Sequence, residues 1–442
     1  MKKLRLFFLL FSSLFLSIQL YSQSLAFAGQ FNGVSWKLVE GMAVDATGNI
    51  YTVGGFESTV DFDPGPGIQN LTAPGFGGTD LFIVKQSVNG NLLWVKQIGG
   101  SLIDMARAIT VNPAGYIEIV GDFRGTVDFD PGAGVQNLTG GTNGDGFILR
   151  LTEDGNFISV RQFTTGASSQ VLIRDIATDH AGNLILAMNF SGTADFDPGP
   201  AILNLTSSGS DMVICKFSPN GLLSWAKSIA NPSTTWPNAI IIDQQDNIVY
   251  GGYFNGAMDF DPGAGVFNLT SAGGADAFVA KLTPQGDFIW AKQFTNTGLG
   301  AIYSLVSDAG DNIYAGGFFE GNNIDLDPGA GTSLVSSYGD RDAFAVKLTK
   351  EGDFVWANRF GGTAADQTDA IAVGTDGKVY LGLTFNGTAD IDPGSGTQNL
   401  TSKGGSDISL VRLNANGVLD WAKQTGGTAS EQVSYMRMDN PG

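Results

Sequence analysis

The pattern Asp-x-Asp-Pro-Gly carries the most evident chemistry in this sequence. In "GTVDFDPGAGVQNLTG", residues 125–140, two carboxylates stand one residue apart, directly before a Pro-Gly pair that favours a tight turn. Residues i and i+2 of an extended segment point to the same side, roughly 7 Å apart, so both carboxylates can lean toward one point. Such a pair suits three roles: ligands for calcium, an acid and a base for glycoside hydrolysis, or caps for a loop.

This pattern occurs six times, and its recurrence helps to distinguish between the three roles. Its carboxylates are Asp61 and Asp63, Asp128 and Asp130, Asp195 and Asp197, Asp259 and Asp261, Asp325 and Asp327, and Asp390 and Asp392. A catalytic pair is normally unique, so recurrence at one place in every copy favours architecture over catalysis. Turn capping explains the pattern without a ligand, because an Asp side chain can bond nearby backbone N–H groups. Calcium stays the alternative, although the third acidic position and distal Glu of an EF-hand loop are missing.

The spacing of the copies indicates the elements that position them. Subtracting the positions of the first aspartates gives 67, 67, 64, 66 and 65 residues, a period of about 66. In every repeat an aspartate precedes a second fixed position by 14 residues, across a turn that contains glycine. The aspartates are Asp80, Asp145, Asp211, Asp276, Asp342 and Asp407, and the second positions are Trp94, Ser159, Trp225, Trp290, Trp356 and Trp421. This fixed spacing predicts a hairpin in register, whose strands we name C and D.

Upstream segments such as "YSLVSDAGDNIYAGGFF" predict a further strand pair, A and B. Four short strands in each of six repeats predict an all-β fold, specifically a β-propeller whose blades pack face to face. A sandwich needs about 100 residues for each domain, and a β-helix turn needs far fewer than 66. The segment "SLAFAGQF" aligns with a strand D, with Phe27 at the Trp position, and "VSYMRMDNPG" matches a strand A. We therefore expect six complete four-stranded blades plus a partial seventh that the two termini share.

The first 22 residues have the character of a secretory signal peptide. Lys2, Lys3 and Arg5 precede an apolar run that ends in polar residues. We expect residues 1–22 to be removed and residues 23–442 to form the propeller, which either belongs to a longer protein truncated after Gly442 or has a half-built last blade. Removal changes the formal charge to −19 − 3 = −22. Such an acidic chain disfavours nucleic acid and anionic lipid, so we expect a secreted or outer-surface protein that does not insert into a membrane.

The repeat "VDFDPGAG…NLTS…DAFVAKL…GDFIWAKQFGG" resembles the secreted bacterial β-propeller repeat of large surface proteins. The resemblance covers the chain from about Ser24 to Gly442, and it implies the propeller fold and export but hardly any activity. Members of that family often carry a type IX sorting domain or adhesion-like modules, and neither is recognisable in this sequence. Ser159 replaces the Trp of repeat 2, and "GTSLVSS" replaces the "NLTS" element of repeat 5.

Several single residues have simple interpretations. Cys215, the only cysteine, stands where other repeats have Ala, Val or Leu, so we expect a small core residue. His180, the only histidine, lies in a turn and predicts neither a metal site nor a catalytic triad.

The tryptophans of strand D predict packing between blades, and replacement of one by Ala is expected to cost about 3 to 5 kcal/mol of stability. The basic residues that end strand C predict surface ion pairs of little energy; they are Lys85, Arg150, Lys216, Lys281, Lys347 and Arg412.

The "NLT" sequons are interpreted as turn and hydrogen-bond elements; they begin at Asn70, Asn137, Asn204, Asn268 and Asn399. The whole pattern predicts a protein without enzymatic activity and without a cofactor other than calcium. We expect it to act in binding, adhesion or scaffolding, with an unidentified protein or glycan partner at the channel or at variable connections such as "SYGDR". Two alternatives stay open: a glycoside hydrolase or lyase with acidic residues at the channel, and a structural spacer in a long surface protein.

Overall fold

The computed structural model describes residues 30–33, 36–74, 77–166, 169–229, 233–294 and 298–438. Within these ranges every regular element is a β-strand, which confirms the all-β prediction. This part of the chain contains no helix of the length and hydropathy that crossing a bilayer requires. The expected signal peptide and Phe27 lie outside the described residues.

The strands fall into six successive units of one design. The first three units comprise β1 (Lys37–Val44), β2 (Ile50–Phe56), β3 (Thr59–Asp61), β4 (Asn70–Thr72), β5 (Asp80–Gln86), β6 (Leu92–Ile98), β7 (Met105–Asn112), β8 (Tyr116–Asp128), β9 (Asn137–Thr152), β10 (Phe157–Phe163), β11 (Gln170–Thr178), β12 (Leu184–Asp195), β13 (Asn204–Phe217) and β14 (Leu223–Ile229).

The last three units comprise β15 (Thr235–Ile242), β16 (Ile248–Phe254), β17 (Ala257–Asp259), β18 (Asn268–Thr270), β19 (Asp276–Leu282), β20 (Phe288–Phe294), β21 (Gly300–Ser307), β22 (Ile313–Phe319), β23 (Ile324–Asp325), β24 (Leu334–Val335), β25 (Asp342–Leu348), β26 (Phe354–Gly362), β27 (Gln367–Val373), β28 (Val379–Asp390), β29 (Asn399–Leu413) and β30 (Leu419–Thr425).

Each unit is an antiparallel sheet with strand order A-B-C-D. Strands C and D form the hairpin that the sequence spacing predicts, with Lys85 opposite Trp94 in the first unit. Strand B pairs with strand C, and there Phe56 lies opposite Asp80. The Asp-x-Asp-Pro-Gly segment forms the tip of a short ribbon between strands B and C. In the second and third units this ribbon is continuous with the long strands, and in the first it is the separate pair β3–β4. Gly361 and Gly362 bridge β26 to β28, which joins the last two units into one eight-stranded sheet.

The apolar core lies between the faces of neighbouring units. Tyr51 and Leu81 of the first unit pack in one cluster with Ile119 and Phe147 of the second, and corresponding clusters join the later units. A single sheet of this size cannot cover both of its faces, so stacking on its neighbour supplies the missing burial. The first strands contact one another in sequence, from β1 through β7, β11, β15 and β21 to β27. They surround a common cavity, and the arrangement is therefore propeller-like.

Candidate functional site

The Asp-x-Asp carboxylates cap their own loops in all six repeats. Oδ1 of the first aspartate accepts hydrogen bonds from two backbone N–H groups, that of the second aspartate and that of the residue eight positions later, at 2.7–3.1 Å. Oδ1 of the second aspartate accepts the N–H of the glycine two positions later, at 2.8–2.9 Å. These bonds are the capping pattern that the sequence predicts.

The residue between the two aspartates anchors the loop to the core. This position holds Phe62, Phe129, Phe196, Phe260, Leu326 and Ile391, and every one of them is buried. Among the described residues, no group of three or more His, Cys, Asp or Glu side chains could hold a metal ion. The two carboxylates of a loop would therefore need backbone and solvent oxygens to complete the six to eight ligands of calcium.

The Asn-Leu-Thr segments are strands and not turns, which corrects the interpretation from sequence. Each asparagine pairs with the first aspartate of the loop, as Asn70 does with Asp61 and Asn137 with Asp128. Four of the five threonines two residues later face a threonine of the opposite strand, and Thr126 and Thr139 share a hydrogen bond of 3.0 Å. The fifth, Thr270, faces Ala257. The polar triplet is explained by its place at the outer ribbon, where one side chain faces solvent and the next packs inward.

The tryptophans join neighbouring units, as predicted, although their rings are half-buried. Trp94 Nε1 donates to the carbonyl oxygen of Glu153 in the C–D turn of the next unit, at 3.1 Å. The same bond recurs in three further pairs, at 3.1–3.4 Å; they are Trp225 with Pro284, Trp290 with Lys350, and Trp356 with Ala415. In repeat 2, Ser159 stands in place of Trp. There Arg150 Nη1 donates a hydrogen bond of 2.7 Å to the corresponding carbonyl oxygen, that of Pro219.

The basic residues that end strand C are more buried than the sequence suggested. Lys281 Nζ lies 2.8 Å from Asp243 Oδ2, with both side chains at most 5% exposed, and it also donates to the carbonyl oxygen of Lys350 at 3.1 Å. Lys85 and Lys216 make the same two contacts with their own partners. The prediction of surface ion pairs is wrong for these residues, because the C–D turn of the next unit covers them.

Cys215 and His180 occupy the expected environments. Cys215 is fully buried in an apolar cluster, and burial raises the pKa of its thiol. His180 is exposed in the A–B turn, and its Nδ1 lies 2.6 Å from Asp246 Oδ1 of the next unit. That carboxylate raises the pKa of His180. Neither residue provides a nucleophile or a metal ligand in this setting.

The central cavity carries a ring of six polar side chains of five types. In every unit, strand A has a β-bulge against strand B at the same place, and the extra residue is Glu40, Arg107, Arg174, Asn238, Tyr303 or Asp369. All six residues line a cavity of about 740 Å³, and we name them the channel ring. Cavities of this size are typical of small-molecule sites.

In each unit, strand B carries a residue 15 positions after the channel-ring residue of strand A. These backing positions are Gly55, Asp122, Asn189, Tyr253, Phe318 and Thr384. Arg107 Nε donates to Asp122 at 2.7 Å, Arg174 Nε donates to Asn189 at 3.0 Å, and Thr384 donates to Asp369 at 2.5 Å. The ring of Tyr303 packs against Phe318, with centroids 5.6 Å apart. In these four units the ring residue and the backing residue therefore contact each other directly.

Charge is unevenly distributed around the channel ring. Arg107 and Arg174 are neighbours, and Glu40 borders Arg107, to which it is bonded at 3.0 Å. Burial raises the pKa of Glu40 and Asp369, whereas burial and the charge of Arg107 lower the pKa of Arg174 to about 10. Burial also lowers the pKa of Arg107, but the carboxylates of Asp122 and Glu40 outweigh it and raise the pKa. The channel is consequently polar on all sides, with adjacent cations in the second and third units.

Residues 432–438 line the same cavity beside the sixth unit. Gln432 Nε2 donates to Asp369 Oδ1 at 3.2 Å, and the N–H of Val433 donates to Thr384 Oγ1 at 3.3 Å. Ser434 stands five residues before Asp439 in sequence, which is the offset of Glu40 from Asp45 and of Arg174 from Asp179. This segment thus matches the sequence-predicted strand A in position, although the structure assigns no strand to it.

Sequence reasoning singled out none of the channel ring. The signal that locates it is a position five residues before the residue that opens the A–B turn, at which the residue type differs between repeats. The bulge disguises this signal, because it breaks the two-residue alternation on which strand patterns depend. The twelve loop aspartates, in contrast, lie on the ribbons between strands B and C, and none of them lines the cavity.

No model of a known protein family matches the chain. The chain is 24% identical over 404 residues to an uncharacterized WD repeat-containing protein of Acanthamoeba polyphaga mimivirus, with 78% of this chain covered. It spans only 29% of the length of that relative.

Three solved structures of differently described proteins are distantly similar to the chain. Sqt1 from Chaetomium thermophilum is 10% identical, with 90% of this chain and 74% of that chain covered and a TM-score of 0.41. A Bacteroides caccae protein of unknown function is 11% identical, with 73% and 82% covered and a TM-score of 0.34. Catalytically inactive virginiamycin B lyase from Staphylococcus aureus is 10% identical, with 80% and 96% covered and a TM-score of 0.32. Likeness at this level does not bear on ligand or activity.

Proposed function

We propose that this protein is a non-enzymatic propeller that binds a polar ligand at its channel ring. The observation that carries the proposal is that polar side chains of five types occupy the six equivalent bulges around one cavity of about 740 Å³. A purely structural role for the bulge does not explain why its residue type changes from unit to unit while the bulge itself is retained. Unlike polar groups that converge on one cavity are the usual means of fixing a small ligand.

Binding is better supported than hydrolysis by the state of the channel carboxylates. Glu40 is engaged by Arg107, and Asp369 accepts bonds from Gln367, Thr384 and Gln432. A glycosidase requires one carboxylate free to act as acid and another free to attack or activate water. The carbohydrate-active alternative is tested by incubating the protein with polysaccharides and measuring new reducing ends. Release of reducing ends that Asp369→Asn abolishes would replace our proposal with that alternative.

The binding proposal is tested by titrating the full chain with a panel of neutral, acidic and amino sugars and short peptides, using calorimetry. We expect at least one class to bind, and we expect Asn238→Ala and Tyr303→Ala to weaken that binding. A matched control is Tyr338→Ala, whose exposed ring does not line the cavity. Failure of every class to bind, with the chain folded, would favour the spacer role.

We further propose that the ring has six complete blades and a seventh that both termini share. Asn32 bridges Asp61 just as Gly361 bridges Asp390 between the fifth and sixth units, and Phe31 packs on Phe62 at 5.2 Å. At the other end, the N–H of Glu431 donates to the carbonyl oxygen of Ser406 at 2.9 Å, the bond that Asp366 makes to Arg341 between the preceding units. A crystal structure of the full chain counts the blades directly, and six blades without a seventh position would contradict the proposal.

Export and calcium complete the proposal. The resemblance to the secreted bacterial β-propeller repeat and the character of residues 1–22 support a secreted or outer-surface location with an adhesive or scaffolding role. Fractionation of a native host, with an antibody against the chain, tests the location.

Calcium is supported by the two carboxylates of each loop, since Oδ2 of Asp61 and Asp63 accepts no protein hydrogen bond in the described part of the chain. A melting temperature that neither calcium nor a chelator changes would exclude calcium stabilisation.

A further inference from the structure

Two arginines of the channel ring differ in how their charge is compensated. Arg107 has two carboxylate partners, Asp122 at 2.7 Å and Glu40 at 3.0 Å. Arg174 has the neutral amide of Asn189 at its backing position, and no carboxylate of the described residues lies within 4.0 Å of its guanidinium. The equivalent site in the next repeat therefore carries a cation whose ion-pair partner has been replaced by an amide.

Packing holds the Arg174 guanidinium in place. Its carbon lies 3.7 Å from the centroid of Trp236, and Trp236 is stacked on Tyr253 with an interplanar angle of 14°. Stacking occupies only the face of a guanidinium, so its N–H groups remain directed outward in the plane, and Nε of Arg174 donates to Asn189. Nη2 is buried and makes no hydrogen bond to any residue that the structure describes. A buried donor without a partner costs free energy, which a bound acceptor would recover.

The surroundings of Arg174 favour an anion at this point of the channel. Its neighbours in ring order are Arg107 on one side and neutral Asn238 on the other. The adjacent carboxylate of Asp175 already accepts the N–H groups of Ile176 and Ile240, at 2.8 and 2.9 Å, so it is directed into the backbone and not toward Arg174. Burial, together with the charge of Arg107, lowers the pKa of Arg174 to about 10, although the carboxylates of Asp122 and Glu40 act in the opposite direction.

We propose that Arg174 binds the carboxylate of an acidic sugar in the channel, an inference that rests on the proposed binding function of the channel ring. A planar carboxylate matches the fork of a guanidinium, and charge-assisted bonds of this kind are stronger than neutral ones. Asn238 and Tyr303, the next two residues of the ring, supply amide and phenol groups suited to sugar hydroxyls. The strongly acidic chain disfavours a polyanion, so a ligand with a single carboxylate fits best.

The test compares four probes by calorimetry on the full chain: glucuronate, glucose, acetate and inorganic phosphate. We expect glucuronate to bind at least about tenfold more tightly than glucose, and its affinity to fall as salt rises. Arg174→Gln should reduce glucuronate affinity by about tenfold or more and abolish the preference over glucose. Lys350→Gln removes one positive charge from an exposed side chain outside the cavity, and it should leave the affinity unchanged. Thermal melts establish that each variant is folded, and Arg174→Lys, which keeps the charge, should restore part of the affinity.

Three outcomes would overturn the inference. Equal affinity of the parent chain and folded Arg174→Gln for glucuronate would show that this arginine does not hold the carboxylate. Equal affinity for glucuronate and glucose would leave channel binding intact while removing the anion contact. Binding of acetate or phosphate as tight as glucuronate, again sensitive to Arg174→Gln, would show a simple anion site and not a sugar site. If the channel variants Asn238→Ala and Tyr303→Ala also bind all probes as the parent does, the proposed function itself fails.

Discussion

The indole nitrogen of Trp94 and the carbonyl oxygen of Glu153 lie 3.1 Å apart across the junction of the first two units. Lys85 Nζ donates to the same oxygen, also at 3.1 Å, so one carbonyl receives two donors from the neighbouring unit. Gly155, in the same turn, has φ of +76°, and an added Cβ would lie 3.4 Å from the indole. The C–D turn of the second unit is thus shaped to receive the tryptophan of the first, and the same bond recurs at three further junctions.

We predict that Trp94→Ala lowers the free energy of unfolding by about 3 kcal/mol, because it removes packing as well as the bond to Glu153. Trp94→Phe keeps most of the ring and should cost about 1 kcal/mol. Trp421 is the matched control, since no indole acceptor is found for it among the described residues and Trp421→Ala should cost less than Trp94→Ala. Urea titrations measure all three, and equal losses at positions 94 and 421 would contradict the role of the turn.

Lys281 offers a second test at such a junction. Removing one partner of a buried ion pair leaves the other uncompensated, so Lys281→Ala should cost about 3 to 5 kcal/mol through Asp243. Lys350 and Glu351 form an exposed pair at 3.9 Å, and Lys350→Ala should change stability by less than about 0.5 kcal/mol. Chemical denaturation distinguishes the two variants. A loss below about 1 kcal/mol for Lys281→Ala would mean that water reaches the pair.

The loop caps can be tested by a pair of substitutions at Asp128. Asp128→Ala leaves the N–H groups of Asp130 and Gln136 without their acceptor, and we expect a loss of about 1 to 2 kcal/mol. Asp128→Asn keeps an acceptor oxygen and should cost less than about 1 kcal/mol. Thermal melts without calcium provide the measurement. If Asn is as damaging as Ala under these conditions, the carboxylate acts through its charge and not as a cap.

Stability should fall as pH rises from 5 to 8, because of two buried carboxyl groups between units. Burial raises the pKa of Asp104 and of Asp366 to about 7, although each accepts two backbone N–H groups. The nearby acids Asp80 and Asp122 add to the effect at Asp104, and Asp342 and Asp340 at Asp366. Between pH 4 and 7 the folded state then binds more protons than the unfolded state, which makes the slope of stability against pH negative.

The measurement is the free energy of unfolding at pH 5, 6, 7 and 8. Each carboxyl contributes at most about 1.4 kcal/mol per pH unit. The double variant Asp104→Asn and Asp366→Asn removes both titrating groups, so its slope should be flatter than that of the parent chain. His180 also makes stability fall as pH rises, because Asp246 raises its pKa. The variant His180→Gln measures this contribution, so that it can be subtracted from the slope of the parent chain. An unchanged slope in the double variant would show that these two residues do not titrate in this range.

Features set by local periodicity were predictable from the sequence, whereas features that depend on neighbouring units were not. The 14-residue spacing from Asp80 to Trp94 predicted the C–D hairpin, because register across a short turn is a local property. The burial of Lys281 could not be predicted, since the covering carbonyl of Lys350 lies 69 positions away. Arg174 was missed for a different reason: a bulged residue departs from strand alternation, so the pattern that marks core and surface does not classify it.

The bulge in each first strand also bears on how such a chain can evolve. Gene duplication copies a repeat together with its bulged residue, yet Glu40, Arg107 and Tyr303 now differ at that place. A residue outside the ladder can change by a single codon without breaking a backbone pair, so the recognition properties of one copy can drift while the frame is inherited unaltered. A library that randomises these six codons, with the backing residues allowed to vary as well, would yield new specificities on an unchanged scaffold.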